Sequence, residues 1–166
     1  MEKDNNVEVV ESTTEEKGAL VVPKMQEISY DFFGENKTKR ITTLDPNNPE
    51  DADMILNANQ QADYKLNDEV GVEIKVIGCI LSETPSETVN EETGEVITRK
   101  KHTVLLFDEK GESHATGSNS CYMSFCQIIK LKGLPTRENP VTVIPIKAPA
   151  KEKGHEYLRL KVKTNK

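Results

Sequence analysis

Residues 113–127, SHATGSNSCYMSFCQ, gather His114, Cys121, Cys126 and a run of small hydroxyl side chains in one short stretch. Joined by the right geometry, such groups carry out nucleophilic, acid–base or metal chemistry. A thiol nucleophile needs a lowered pKa and a base within hydrogen-bond reach. Cys121 follows the capping candidates Ser118, Asn119 and Ser120, with His102 and His114 as conceivable bases. Against that role, Cys121, Phe125, Ile128 and Ile129 fall at helical spacing, the pattern of side chains that face a core. Gly117-Ser118-Asn119-Ser120-Cys121 is not a GxSxG elbow and follows a short antiparallel strand rather than a parallel one. Zinc asks for four closely disposed ligands, whereas Cys121 and Cys126 diverge along one helix. A GxxxxGK[ST] phosphate loop is absent, as is a calcium loop. The expectation is a non-catalytic chain with no metal site and no cofactor. The stretch then serves as a strand exit, a helix cap and the first turns of a helix.

The elements that hold this joint follow from periodicity. Residues 47–60 read as a short helix, opened by the cap-and-proline pair Asp45-Pro46, with Glu50, Asp51 and Asp53 near its positive end and Met54, Ile55 and Ala58 inward. Val70, Val72, Ile74 and Val76 alternate with polar neighbours, and at Gly78 the apolar phase passes to Ile77, Cys79 and Leu81. That shift predicts one long strand with a bulge or bend. A polar loop containing Pro85 and the turn Glu92-Thr93-Gly94 leads to a second strand, EVITRKKHTVLLFDE. Lys110-Gly111 turns into a third, GESHATG. The helix follows, closed by Lys132-Gly133, and then the strands PVTVIPIKA and HEYLRLKVKT. Three strands, a helix and two strands give the element order of an OB-type barrel. The expected fold class is mainly β: an OB-fold-like five-stranded barrel with one helix between strands 3 and 4. A short N-terminal helix and a disordered acidic tail complete it.

Charge is divided unevenly. The 166 residues carry a net charge of −6, yet residues 95–166 hold 14 Lys or Arg against 7 Asp or Glu, and residues 1–94 hold 8 against 21. A basic working surface beside an acidic tail is the expectation. Tyr157, Arg159, Lys161 and Lys163 share one face of the last strand, Arg99, Lys100, Lys101 and His102 open the second, and Lys147 lies on the fourth. With Tyr122 these form the candidate nucleic-acid contacts, since cations track phosphates and aromatic rings stack on bases. With four Tyr, four Phe and no Trp, platforms are few, so modest affinity, strong salt dependence and little sequence preference are expected.

The blocks MILNANQQADYKLNDEVGVEIKVIGCI, TGEVITRKKHTVLLFDEKGESHATGSNSCYMSF, PVTVIPIKA and GHEYLRLKV, over about residues 53–163, resemble the single-stranded DNA-binding proteins of bacteriophages that infect Gram-positive bacteria. The resemblance implies an OB-type fold and a non-catalytic role on single-stranded DNA in phage replication or recombination. The long acidic N-terminal extension departs from that pattern.

The domain organisation expected is a disordered acidic tail over 1–26, an arm and short helix over 27–68 packing on the barrel, and a single-stranded DNA-binding domain over 69–164. Replication or recombination proteins are the partners expected for the tail, which carries the apolar island Ala19–Val22. Self-association is left open. No apolar run approaches the ~20 residues of a membrane span, and three cysteines make no even framework, so a reduced, cytoplasmic protein is expected. The alternative reading is an OB-fold protein–protein interaction module, a regulatory or structural component of a phage.

Overall fold

The structure, a computed structural model, describes residues 26–27, 39–151 and 154–164. The tail expected over 1–26 lies outside them except for Gln26, as do Tyr30 and the rest of 28–38.

A single mixed sheet of eight described strands curls into a half-barrel and carries two helices. In chain order the elements are β1 (Gln26–Glu27), β2 (Lys39–Thr42), α1 (Pro49–Gln60), β3 (Tyr64–Lys65), β4 (Ile74–Val89), β5 (Val96–Asp108), β6 (Ser113–Thr116), α2 (Asn119–Lys132), β7 (Val141–Pro149) and β8 (Glu156–Val162). Eight strands replace the expected five because β1, β2 and β3 add to the edges: β2 pairs antiparallel with β4, and β3 pairs parallel with β6. The long β4 organises the rest. Its first residues pair with β7, its remainder with β5 over Val76–Val89, and β8 pairs with β7.

Gly78 behaves as its interruption of the apolar phase predicts. The register against β5 shifts between Val76 and Gly78, so Ile74 and Val76 before the bulge and Cys79 and Leu81 after it all enter one core. A Cβ at Gly78 would lie 2.5 Å from Leu44 Cδ2, closer than packed carbon atoms approach. Ile80, on the opposite face, joins Leu44, Ile55, Ala58, Leu105 and Phe107 in a second core that seats α1 on the outside of the sheet.

Three local expectations are corrected. The strand does not begin at Val70: Val70 and Val72 are exposed, and Gly71 takes a positive φ of 87° with its N–H donated to Pro145 O. The cap of α1 is Asn48, not Asp45. Its side chain accepts from the N–H groups of Glu50 and Asp51, and Pro49 takes the first helical position. Asp45 instead closes a turn through the Asn47 N–H. The stretch around Pro85 is strand, not loop. Both faces of the ribbon meet water there, so no apolar alternation marks it.

At the second joint Ser118 caps α2, its Oγ accepting from the Cys121 N–H, and Gly133 ends the helix with φ 86°. Cys121, Phe125 and Ile128 enter the inner core beside Leu158 and Leu160. Ser124 Oγ donates to Cys121 O and accepts from Leu160 N, tying α2 to β8. No helix among the described residues is long and apolar enough to cross a membrane.

Candidate nucleic-acid interface

Beyond the core, β4 and β5 continue as a two-stranded ribbon, and strand alternation distributes its side chains between two unlike faces. Leu81 and Val104 mark the inner face, Ile80 and Leu105 the outer. Register then places Glu83 opposite His102, Pro85 opposite Lys100 and Glu87 opposite Thr98 on the inner face. On the outer face Ser82 lies opposite Thr103, Thr84 opposite Lys101 and Ser86 opposite Arg99. The basic run Arg99-Lys100-Lys101-His102 is thus split. So is Lys39-Arg40 on β2, whose Lys39 pairs with Glu83 and whose Arg40 pairs with Ser82.

On the inner face Glu83 engages Lys100 and His102, while no acid pairs with Lys39 among the described residues. Lys100 Nζ lies 2.7 Å from Glu83 Oε1, and His102 Nε2 lies 3.3 Å from Glu83 Oε2. Lys100 above all, then the His102 ring, holds the Glu83 carboxyl below its ordinary range. The His102 ring stacks on Tyr122. Tyr122, Lys39, Ile41, Leu81 and Glu83 line a cleft of about 210 Å³.

The outer face of the ribbon carries Arg99 and Lys101 among hydroxyl side chains. A cavity of about 290 Å³ is lined by Arg40, Ser82, Thr84, Thr103 and Leu105 with the C-terminal end of α1. A second, of about 300 Å³, shares Thr103 and Ala115 with it and extends to Lys65, Asn67 and Gly117. Among the described residues no carboxylate lines either. Arg99 and Lys101 stand on the same face, and among the described residues no acid pairs with Arg99, Lys101 or Lys65. The two cavities adjoin at Thr103 and Ala115, and their linings make a groove over the outer face of β4, β5 and β6.

The remaining candidates occupy other surfaces. Tyr157, Arg159 and Lys161 lie on the outer face of β7–β8, opposite Ala148, Ile146 and Ile144. The Arg159 guanidinium sits 5.9 Å from the Tyr157 ring centroid. Lys163 is engaged by Glu73 at 2.7 Å, and Lys147 shares the Leu158 side of the strand pair, 4.0 Å from Glu156. Of the ten candidates, Arg99 and Lys101 lie on the same face of the ribbon as the groove. Lys100, His102 and Tyr122 meet around Glu83 on the other face. Arg40, Lys65 and the hydroxyls of the groove went unread in the sequence, because KTKRIT has one apolar residue and no alternation to mark a strand.

The cysteines are placed for packing. Burial pushes the Cys121 thiol up to about 12, and the Cys79 thiol likewise, despite the Thr43 hydroxyl beside it. A thiol at that value is almost wholly protonated at neutral pH and a poor nucleophile. His114 sits in another cavity, of about 390 Å³, with Nδ1 2.8 Å from Glu69 Oε2 and Nε2 3.5 Å from Asp108 Oδ2. Carboxylates there are largely met by Lys75, Lys163 and Tyr64. No group of three or more His, Cys, Asp or Glu among the described residues is disposed to hold a metal ion.

Compared with protein-family models, with curated proteins and with solved structures, the chain matches none.

Proposed function

We propose that this chain is a non-catalytic single-stranded DNA-binding protein built on an OB-type half-barrel. The strand walk β8-β7-β4-β5-β6, with a long bent β4 pairing on both sides and α2 between β6 and β7, supports the barrel assignment. One observation carries the function. Glu83 and Glu87 of the paired ribbon face inward, while Arg99 and Lys101 face outward among hydroxyls with no acid paired to them among the described residues, beside a groove lined also by Lys65. A polyanion gains most where cations are not already neutralised and where no carboxylate repels it. Cations along a groove, with hydroxyls between them as further phosphate partners, are the means by which single strands are held with little base preference. The resemblance to phage single-stranded DNA-binding proteins agrees with this, and a role in phage replication or recombination follows from it.

Fluorescence anisotropy with oligo(dT) across a salt series tests the reading. The chain should bind oligo(dT) more tightly than duplex of equal length. Arg99→Ala with Lys101→Ala should weaken binding and flatten the log–log salt slope by about 0.7 per phosphate contact removed. An unchanged slope in the double variant would place binding elsewhere. No binding to oligo(dT) would remove the function and favour a protein-interaction module.

A further inference from the structure

The ribbon of β4 and β5 runs on past its neighbours. Among the described residues no third strand pairs with β4 beyond Glu83 or with β5 before Val104. A two-stranded ribbon is marginally stable in water unless a further surface covers it. The tip is both apolar and acidic. Val89 and Val96 lie opposite each other, 58% and 57% exposed. The same stretch holds Glu87, Glu91, Glu92 and Glu95, with no Lys or Arg from 87 to 97. None of these four acids has an ion-pair partner among the described residues.

The outer face of β7–β8 has the converse character. Ile144 and Ile146 are half-buried there, opposite Lys161 and Arg159. β7 contains no acid, and strand alternation puts Glu156, the one acid of β8, on the Leu158 side, so neither strand sets a carboxylate on this face. No acid pairs with Arg159 or Lys161 among the described residues. The tip cannot cover the face of its own chain. β7 leaves β4 at Ile74 and runs away from the ribbon, while Val89 lies about 40 Å of strand beyond Val76 in the other direction.

We infer that the ribbon tip of one copy docks on the outer face of β7–β8 of a second copy, with Val89 and Val96 against Ile144 and Ile146 and the tip acids against Arg159 and Lys161. Charge complementarity selects this occupant. Tip against tip, or face against face, would bring like charges together, whereas tip against face pairs opposite ones. Apolar side chains at the centre with charges around them are the usual anatomy of a protein–protein contact. Because the two surfaces differ, the contact is heterologous, and copies joined through it build a ring or an open row. The inference is independent of the DNA-binding reading, since neither surface includes Arg99 or Lys101. It assigns Arg159 and Lys161 to self-association.

Sedimentation velocity of the full chain without nucleic acid, over a concentration series at low and at high salt, tests it. The mass should rise above that of one chain as concentration increases and fall back in high salt, as contacts between exposed charges do. Arg159→Glu with Lys161→Glu in one variant, and Glu91→Lys with Glu92→Lys in another, should each raise the midpoint concentration about tenfold or more. Circular dichroism of both variants should match that of the unaltered chain. An equimolar mixture of the two should associate again, since each then offers the sign that the other needs. A chain that stays monomeric up to its solubility limit would overturn the inference. So would association that survives either reversal, or a mixture of folded variants that stays dissociated. Loss of oligo(dT) affinity in Arg159→Glu with Lys161→Glu, at a constant monomer mass throughout, would overturn it and assign the face to nucleic acid.

Discussion

The His102 imidazole lies 4.2 Å from the Tyr122 ring, centroid to centroid, with the two planes 24° apart. One residue comes from β5 and the other from the first turn of α2, so the stack joins the ribbon base to the helix. It also occupies one face of the Tyr122 ring. Tyr122→Leu should lower stability by about 1 kcal/mol, the scale of an aromatic pair beyond its area burial, and leave oligo(dT) affinity within about twofold. Urea unfolding and anisotropy together check this, and a binding loss without a stability loss would make Tyr122 a base platform instead.

Gly78 and Leu44 form a tight pair across the outer core. Gly78→Ala should destabilise by about 1–3 kcal/mol, the range for an added methyl group in a packed site, because the new Cβ meets the Leu44 side chain. Leu44→Ala should be destabilising by itself, since Leu44 is fully buried. A double-mutant cycle should then show the Gly78→Ala penalty much reduced in the Leu44→Ala background. Additive penalties would mean that the bulge, rather than the contact, demands glycine.

Acid stability should depend on Asp51, whose buried side chain meets Arg137 and accepts from the Asp45 N–H. Burial by itself raises this carboxyl, but Arg137 and the Asp45 amide outweigh it and hold it below its ordinary value of 3.8. A depressed folded value means stability that is fully present above the unfolded value and lost as pH falls through the folded one. Asp51→Asn should be less stable than the unaltered chain at pH 7 by ~1 kcal/mol, allowing for the half-exposed Arg137. The gap should narrow as pH falls below the ordinary value of 3.8 and through the lowered folded one, and a gap that stays constant in acid would remove the linkage.

Thiol labelling separates packing from catalysis. Cys79 and Cys121 are fully buried with raised pKa values, and Cys126 is partly buried and also raised. At pH 8 a disulfide reagent should modify neither Cys79 nor Cys121 until urea is added, when all three should react. Rapid labelling of Cys121 in the native chain would restore it as a candidate nucleophile.

The elements that are half-buried were legible in sequence, because burial on one face imposes a period. Val104 to Phe107, the phase shift at Gly78 and the inward stripe Cys121-Phe125-Ile128 are of that kind, whereas the cap of α2 stayed open among Ser118, Asn119 and Ser120 until the structure gave Ser118. The ribbon beyond Ser82 was not, because water on both sides leaves no period to read. For the same reason Pro85 suggested a loop. Asn48 against Asp45 was a choice between two equivalent cap-and-proline pairs, which local sequence does not rank.

For the candidate site the division is sharper. Sequence by itself determined that residues 99–102 are basic, that the last strands alternate charge with apolar side chains, and that the joint at 117–121 turns a strand into a helix. Only the tertiary structure decided which side chains each cation meets. Glu83 is sixteen residues before Arg99 in sequence, and Arg40 is more than forty before Thr84 and Thr103. Antiparallel pairing brings Glu83 against Lys100 and His102 on one face, and Arg40 beside Thr84 and Thr103 on the other. Charge along a chain is additive, but electrostatic attraction depends on distance, and it is the strand register that sets the distances.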